Sequence, residues 1–408
     1  MPNLVTKSLQ YIYYLIRFPI LYFLWYISSL IPKNKNIWIF GAREGNSFSG
    51  NSKYLFIYLK NYPDIKVIWI SKNKRVVKNL EKIGLKGYYI YSFRGIFFCL
   101  RAFVCFTTHG IYDINPYLTK GCIHVELWHV TFPLKKMEYD TKNHIPKSFI
   151  KKALLILRTP FIFQKADYAI SSSEWTKQII RSALLIKEEK ILVTGCIRSD
   201  RMIEPENEAD RLTIENILPT NNFAHLIYFF PTWRNNYEFD LFSFSFDETE
   251  LVAFLEKTDS ILLIGVHPFD LSITEKHNYE FHDRICIINT QDVDTVPILK
   301  KSSDFITDYS STFAGYLLFD RPMIFANFDH NSYIAERELY WDYDEITPGD
   351  KAESWSLILL HLEKILLGKK DLYKMKRQVL RDKIYQFKDG KSCSRVVSEV
   401  QQILLKED

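Results

Sequence analysis

The chain has 408 residues, a length that predicts two or three domains rather than one. Hydrophobic residues make up 47% of it, enough for sizeable cores, and a net charge of +5 is compatible with an anionic substrate or an anionic membrane surface. That charge falls short of the concentrated positive charge of a nucleic-acid-binding protein. The six cysteines are scattered and include no C-x-x-C pair, which favours a reducing cytosolic compartment without structural zinc.

The first 35 residues form a hydrophobic segment. From Ser8 to Ile31 the sequence is strongly apolar and aromatic, with interruptions at Arg17 and Pro19. The run from Phe18 to Ile31 is shorter than the roughly 20 apolar residues that a membrane-spanning helix usually needs. We therefore predict a helix that lies in the membrane interface, with a true span or a helix packed on the domain as alternatives.

Strands alternate with helices over residues 36–203, a pattern that predicts a parallel α/β domain. The predicted strands are Asn36–Phe40, Val67–Ser71, Tyr88–Tyr91, Phe103–Thr107, Ile123–Leu127, Tyr168–Ser171 and Ile191–Thr194. His109 and His129 follow two of these strands, at the carboxyl edge where open α/β sheets place their ligand sites. We interpret His109 as structural, and His129 as either structural or a general base toward a hydroxyl.

A second α/β pattern follows a break. Residues 204–222 are polar and contain two prolines, so we predict an interdomain linker there and a second domain over 223–408. Its predicted strands are His225–Phe230, Ser260–Val266, Ile285–Ile288, the run ending at Phe305–Ile306, and Met323–Asn327. Two such halves in series predict the GT-B fold, in which two Rossmann-like domains face each other across a cleft.

The stretch from Asp304 to Arg321 reads as a strand, a polar turn ending in Ser310-Ser311, and a helix from Thr312 to Phe319. Such a turn is often only an N-cap, but a helix N-terminus also offers N–H groups and partial positive charge to a phosphate. Two further predicted strand ends of this half carry Arg234 and His267. Together these groups predict a cationic pocket suited to a diphosphate, with His129 facing it from the first half.

Two other motifs have simpler interpretations. Lys135 and Lys136 are either a solvated pair or anion contacts on the acceptor side. Asp292-Val293-Asp294 matches a metal-binding D-x-D, but these residues open a predicted helix and we interpret them as N-cap and dipole partners. We therefore expect neither a metal nor another cofactor.

Eight segments, taken in order, carry a resemblance to a known family. They are GNSKYLFIYL (Gly50–Leu59), ELWHVTFPLKK (Glu126–Lys136), ISSSEWTKQII (Ile170–Ile180), TGCIRSD (Thr194–Asp200), FFPTWR (Phe229–Arg234), VHPFD (Val266–Asp270), ITDYSSTFAGYLLFDRPMIF (Ile306–Phe325) and the pattern over Asp329–Arg337. With them the chain resembles the bacterial CDP-glycerol glycerophosphotransferases, which include teichoic-acid primases and polymerases and related capsule enzymes.

The resemblance implies a GT-B fold and peripheral attachment to the cytoplasmic face of the bacterial cell membrane. It also implies transfer of a polyol phosphate from CDP-glycerol or CDP-ribitol to a hydroxyl of a glycan or lipid-linked acceptor, with release of CMP. By position it implies His129 as base, His267 beside the donor pyrophosphate, donor-binding roles for Arg198, Arg234, Thr307, Asp308, Ser310 and Ser311, and acceptor-side roles for Asn51, Lys53 and Lys135.

One departure lies beside the candidate base. The family's W-H-G-T-P becomes Trp128-His129-Val130-Thr131-Phe132, a change that bears on the acceptor more than on the reaction. Two alternative functions are a GT-B glycosyltransferase that uses a nucleotide sugar and a non-catalytic membrane-associated scaffold of envelope assembly.

Overall fold

The structure is a computed structural model and describes residues 4–142, 144–219, 222–234, 239–266, 282–290 and 293–406. The chain divides into two compact units. The first unit comprises Met1–Val130, Met137–Arg198 and Lys391–Asp408, and the second comprises Thr131–Lys136 and Ser199–Gly390.

The described strands and helices, in chain order, are the following. The strands are β1 (Asn34–Phe40), β2 (Lys66–Ser71), β3 (Gly87–Tyr89), β4 (Ala102–Thr107), β5 (Ile123–Glu126), β6 (Tyr168–Ser171), β7 (Ile191–Val193), β8 (His225–Phe230), β9 (Ser260–Val266), β10 (Ile285–Asn289), β11 (Asp304–Thr307), β12 (Met323–Ala326) and β13 (Asp350–Ala352). The helices are α1 (Leu4–Leu30), α2 (Gly50–Leu59), α3 (Lys74–Lys82), α4 (Phe93–Arg101), α5 (Phe149–Arg158), α6 (Glu174–Leu184), α7 (Ile197–Ile203), α8 (Glu208–Glu215), α9 (Glu248–Lys257), α10 (Thr295–Lys301), α11 (Thr312–Tyr316), α12 (His330–Glu336), α13 (Tyr343–Ile346), α14 (Trp355–Leu366), α15 (Lys374–Ile384) and α16 (Ser392–Lys406).

The first unit is built on a seven-stranded parallel sheet in the order β3-β2-β1-β4-β5-β6-β7. Its interior strand β1 ends in four consecutive buried residues, because helices cover both faces of a parallel sheet. Aromatic side chains fill the core beside it, where the rings of Phe40 and Phe106 stack at 4.7 Å. The predicted parallel α/β architecture is confirmed for this unit.

The turn after β1 packs closely against a second turn. A Cβ on Gly41 would lie 2.3 Å from the carbonyl oxygen of Asp113, so only glycine fits there. This close approach brings the 43–45 turn against the short 3₁₀ helix Ile111–Asp113. It places the Asp113 carboxylate next to the loop that follows β4.

The second unit has a six-stranded parallel sheet in the order β10-β9-β8-β11-β12-β13. Strand β9 is buried along its whole length. On one side of the sheet, Trp355 packs among aromatic residues and its indole Nε1 donates to the Leu241 carbonyl oxygen at 2.8 Å. The predicted second parallel sheet is therefore confirmed, and the three-residue strand β13 extends it beyond the predicted strands.

The division into units differs from the predicted domain boundaries in three places. The predicted linker over 204–222 contains helix α8, capped by Asn207, and the α8 carboxylate of Asp210 forms ion pairs with Arg201 at 2.8 Å and Lys300 at 3.0 Å. Helix α16 returns to the first unit, where Val396 and Val400 are buried in its core. Residues 131–136 belong to the second unit rather than to the first.

The N-terminal segment is helical from Leu4 to Leu30, with Pro19 inside the helix. It packs on the first unit, where Arg17 donates to the Arg158 carbonyl oxygen at 2.6 Å and Trp25 stacks on Phe161 at 5.3 Å. Across the described residues, the length and apolar character needed to cross a membrane are found in none of the helices. The segment is thus helical as predicted, and its place in the membrane interface stays a prediction.

Candidate active site

His129 lies just after β5, at the carboxyl edge of the first sheet. Its Nδ1 is 3.1 Å from the carbonyl oxygen of Thr108, and its ring stacks on His109 with centroids 4.2 Å apart. Because a carbonyl oxygen only accepts, Nδ1 carries the proton and Nε2 presents a lone pair. Burial, and next the His109 ring, lowers the pKa of His129 to about 3, so the imidazole is neutral at neutral pH.

A buried carboxyl group, that of Glu126, joins the two histidine-bearing loops. Its Oε2 accepts from the Thr107 hydroxyl at 2.6 Å and from the Gly110 N–H at 3.0 Å, and its Oε1 accepts from the Trp128 N–H at 3.0 Å. Gly110 and Trp128 are the chain neighbours of His109 and His129. Burial, and next the charge of Asp113, raises the pKa of Glu126 to about 8. We infer that Glu126 sets the spacing of the two loops.

Asp113 reinforces the loop after β4 from the other side. Its Oδ2 accepts from the backbone N–H groups of Thr108 at 2.6 Å and His109 at 2.9 Å. Its Oδ1 accepts from the N–H of Glu44 at 2.6 Å. Since Thr108 also holds the His129 ring, Asp113 contributes to the position of that ring.

Asn51 is buried beneath the loop after β5. Its Nδ2 donates to the carbonyl oxygens of Leu127 at 2.9 Å and Trp128 at 2.8 Å, and its Oδ1 accepts from the Arg198 N–H at 2.8 Å. The amide is thus engaged by backbone, so the geometry favours a positioning role over the predicted acceptor contact. Lys53 lies two residues further along α2 with its ammonium 5.1 Å from the Tyr54 ring, and its acceptor-side role stays a prediction.

In the second unit, Arg234 forms a buried ion-pair cluster. Its Nη1 donates to Asp308 at 2.7 Å, while Nε and Nη2 donate to the two carboxylate oxygens of Asp329, each at 2.8 Å. Asp308 also accepts from the Thr232 N–H at 2.9 Å and the Tyr309 N–H at 2.5 Å. Burial disfavours the charge, but the carboxylates of Asp308 and Asp329 outweigh it and raise the pKa of Arg234 above its usual value.

Aromatic rings enclose the same guanidinium. Tyr309 and Tyr333 stack with centroids 3.7 Å apart, and the guanidinium carbon of Arg234 lies 4.8 Å from the Tyr333 centroid and 4.3 Å from that of Phe239. Because Nε, Nη1 and Nη2 all donate within the protein, the geometry favours Arg234 and Asp308 as a clamp on the 308–311 turn. This arrangement does not favour the predicted direct contact of Arg234 with a donor phosphate, because its nitrogens already donate to Asp308 and Asp329.

The turn itself is divided between buried and accessible groups. The Thr307 hydroxyl is buried and donates to the Phe230 carbonyl oxygen at 2.8 Å, which ties β11 to β8 and withdraws it from the predicted donor contact. The hydroxyl of Ser310 accepts from the Thr312 N–H at 3.3 Å and donates to the Thr312 hydroxyl at 3.0 Å. Ser310 and Ser311 are half-buried at the start of α11, which ends at Tyr316 and continues as a 3₁₀ turn to Phe319. These two hydroxyls remain the candidate phosphate ligands.

Lys135 lies in the second unit, not on the first unit as predicted. Its segment runs antiparallel to residues 338–340, with the Lys136 N–H donating to Glu338 at 2.8 Å and the Tyr340 N–H donating to Leu134 at 3.0 Å. Phe132, which stands where the family has proline, is buried against Phe313 and Trp341. This packing anchors the segment to the second unit.

The structure therefore groups His129, Asn51 and the Arg198 backbone in the first unit, and Arg234, Asp308, the Ser310-Ser311 turn and Lys135 in the second. His267 lies outside the described residues. Sequence reasoning did not identify Glu126, Asp113 or Asp329 as site residues, although Glu126 and Asp329 stand inside matched segments. In the ranges that the structure describes, no group of three or more His, Cys, Asp or Glu residues could hold a metal ion.

An α/β protein with two parallel sheets, each carrying polar groups at the carboxyl ends of its strands, has the architecture of enzymes that bind ligands at those edges. A family model described as CDP-Glycerol:Poly(glycerophosphate) glycerophosphotransferase matches residues 23–402. The chain belongs to this family, which confirms the resemblance, and it is an enzyme of the CDP-glycerol glycerophosphotransferase type.

Individual relatives agree with this assignment. A teichoic acid glycerol-phosphate transferase of Staphylococcus aureus is 25% identical over 90% of this chain and 93% of the relative. The ribitol-phosphate polymerase TarK of the same organism is 29% identical over 57% of this chain and 44% of the relative. Among solved structures, the wall teichoic acid polymerase TagF shares the fold, with a TM-score of 0.73 and 21% identity over 99% of this chain and 98% of TagF. A TagF variant was also solved after soaking with CDPG.

Proposed function

We propose that this enzyme transfers glycerol phosphate from CDP-glycerol to a hydroxyl of a glycan or lipid-linked acceptor of the cell envelope or capsule, releasing CMP. Family membership supports the reaction, and both the family model and the Staphylococcus aureus transferase, matched over 90% of this chain, name glycerol phosphate. A poly(ribitol-phosphate) polymerase of Bacillus spizizenii matches 93% of the chain, so CDP-ribitol is the donor to compare with CDP-glycerol. The structural observation that carries the proposal is the hydrogen bond from Nδ1 of His129 to the Thr108 carbonyl oxygen, which leaves the lone pair of Nε2 free to face a hydroxyl.

The reaction is an in-line displacement at the β-phosphorus. The acceptor oxygen forms a bond to phosphorus while the bond from phosphorus to the bridging oxygen breaks, and CMP leaves with that electron pair. The hydroxyl proton passes to Nε2 of His129. Ser310 and Ser311 bind phosphate oxygens on the turn that Arg234 and Asp308 hold. The role of His267 beside the pyrophosphate and the GT-B arrangement of the units stay predictions.

The test is incubation with CDP-glycerol, CDP-ribitol and a panel of nucleotide sugars, followed by identification of the released nucleotide. CMP from CDP-glycerol supports the proposal, and a nucleoside diphosphate from a nucleotide sugar supports the glycosyltransferase alternative. If no donor is consumed, the scaffold alternative stands. Activity in EDTA checks the expectation that no metal is required; its loss and restoration by magnesium would contradict that expectation.

We propose that α1 and α5 attach the enzyme to the cytoplasmic face of the membrane. Helix α1 exposes a row of large apolar side chains, among them Ile16 and Phe23, and α5 exposes Phe149 (85%) and Ile150 (70%). Lys151 and Lys152 stand next to these residues and suit anionic headgroups. An apolar face flanked by basic residues is typical of helices that lie in the membrane interface.

Changing Phe149 and Ile150 together to aspartate is expected to weaken membrane binding at least tenfold. Each apolar side chain of this size is worth about 1.5–3 kcal/mol on burial, and the added charges are repelled by anionic lipid. Flotation with phosphatidylglycerol vesicles measures the effect. Leu372→Asp, at a residue of the second unit that is 84% exposed, is the control. Equal flotation of all three proteins would refute attachment through α5.

Changing Glu126 to glutamine is expected to lower kcat about tenfold to hundredfold, with little change in the KM for the donor. One of the Gly110 and Trp128 N–H groups would then face an amide NH₂ rather than an acceptor, and the histidine loops would shift. The split between kcat and KM, measured at saturating acceptor, distinguishes positioning from general destabilisation. Glu189→Gln, at an exposed carboxylate of the same unit, is the control. A raised donor KM at unchanged kcat would contradict this role.

A further inference from the structure

Lys135 lies near the Tyr333 ring, which flanks the ion-pair cluster of Arg234, Asp308 and Asp329 in the second unit. Its ammonium is 5.9 Å from the centroid of Tyr333, whose ring stacks on Tyr309 at 3.7 Å. The Tyr309 N–H in turn donates to Asp308. The side chain therefore lies beside the ring pair that adjoins the 308–311 turn, and its backbone is held by the bridge to Leu339.

Two further cations, Lys135 and Arg337, lie near this turn, and Arg337 is paired with Glu336 at 3.8 Å. The Arg234 guanidinium is shared by Asp308 and Asp329, so that cluster has a net negative charge and spare hydrogen-bond donors are few. Among contacts to the described residues, the Lys135 ammonium has no hydrogen bond or ion pair, only its approach to the Tyr333 ring. A half-buried ammonium without a carboxylate partner is a strong site for an anion, because little of its charge is screened.

The electrostatic setting agrees with this position. Burial lowers the pKa of Lys135 to about 8; Asp308 opposes the shift, and the nearby charges of Arg337 and Arg234 add to it. A phosphate bound beside the ammonium would offset the cost of burying this positive charge, because it supplies a negative charge next to it. A bound anion therefore stabilises the charged form of Lys135 more than it stabilises a lysine in solvent.

We propose that Lys135 binds the diphosphate of the donor, together with the Ser310-Ser311 turn, rather than the acceptor. This inference rests on the proposed function. It assigns the segment 131–136 to donor binding: Phe132, buried against Phe313 and Trp341, anchors the segment, and Lys135 supplies the charge. In this reading the replacement of the family's proline by Phe132 serves the donor side of the site.

The test compares Lys135→Met with Lys135→Arg in the full chain, using calorimetric binding of CDP-glycerol and competition by cytidine. The methionine variant keeps the apolar stem and removes the charge, so its Kd for CDP-glycerol should rise about tenfold to hundredfold. Its affinity for cytidine, which has no phosphate, should not change. The arginine variant keeps the charge and should stay within about threefold of the wild type. Lys374→Met, at an exposed lysine of the same unit, is the control.

The outcomes separate this inference from the proposed function. If the wild type binds CDP-glycerol and Lys135→Met binds it equally well, with a higher KM for the acceptor, Lys135 belongs to the acceptor side and the inference is overturned. If affinities for cytidine and CDP-glycerol fall together, the effect is structural, and the inference is again overturned. If the wild type binds no CDP-polyol, the proposed function fails first and the inference with it.

Discussion

Replacing His129 with alanine is expected to lower turnover by about 10²–10⁴-fold while the affinity for the CDP-polyol donor stays close to that of the wild type. The loss reflects removal of the lone pair on Nε2, which the hydrogen bond from Nδ1 to Thr108 holds in the accepting tautomer. The candidate donor-phosphate ligands, Ser310 and Ser311, belong to the other unit, so donor binding should survive. Single-turnover rates at saturating donor, together with donor titration by calorimetry, measure the two quantities separately.

The pH profile provides a second check on His129. An ordinary histidine has a pKa of about 6.5, but burial lowers that of His129 to about 3, so the ring stays neutral as the pH falls from 8 to 5. The wild-type rate should therefore show no loss near pH 6.5 from protonation of this base. In the unfolded chain the same ring takes up a proton below about pH 6.5, so its contribution to stability is present above that pH and is lost as the pH falls toward 3.

Two variants make the assignment specific. His109→Ala removes the ring stacked on His129 and should reduce turnover less than His129→Ala does, because it leaves the Thr108 contact in place. His144→Ala, at a histidine beside Glu138 on a separate loop, should be active like the wild type. Near-normal turnover of His129→Ala would show that another group takes the proton.

Strand positions were predictable from the sequence because buried parallel strands are short, mostly apolar runs bounded by polar or turn-forming residues. All seven predicted strands of the first unit are present, and Tyr168–Ser171 has the predicted bounds. Strand β13 was missed because Asp350–Ala352 has no apolar run and is held by pairing with β12. The assignment of α16 and residues 131–136 to their units was also missed, because long-range packing decides it and local pattern does not.

The residues of the candidate site also fall into those that the sequence predicts and those that it does not. His129 was found because its place after a strand is visible in the sequence. Arg234 was found for the same reason, but its partners lie 74 and 95 residues further along the chain, so its burial between two carboxylates left no local signal. Glu126 was overlooked because its role depends on backbone N–H groups of two loops, and every residue has such a group.

Arg234→Met is expected to destabilise the second unit by about 3–5 kcal/mol, the cost of removing one partner of a buried ion pair. Asp308 and Asp329 would then face each other without their shared cation, and the Thr232 carbonyl oxygen would lose its hydrogen bond from Arg234. Urea unfolding of the full chain, followed by tryptophan fluorescence, measures the free energy of unfolding. Arg284→Met, which breaks a more exposed pair with Asp259 at 3.3 Å, should cost no more than about 1 kcal/mol.

The same variant distinguishes a clamp from a direct phosphate ligand. If Arg234 holds the turn, Arg234→Lys should also destabilise the unit, because an ammonium cannot replace the paired hydrogen bonds to Asp329. Donor affinity should then fall in both variants as a consequence of the disordered turn. If Arg234 instead contacts the diphosphate, Arg234→Lys should unfold like the wild type and lose donor affinity alone. Measuring both quantities on the two variants therefore decides whether Arg234 holds the turn or contacts the donor diphosphate.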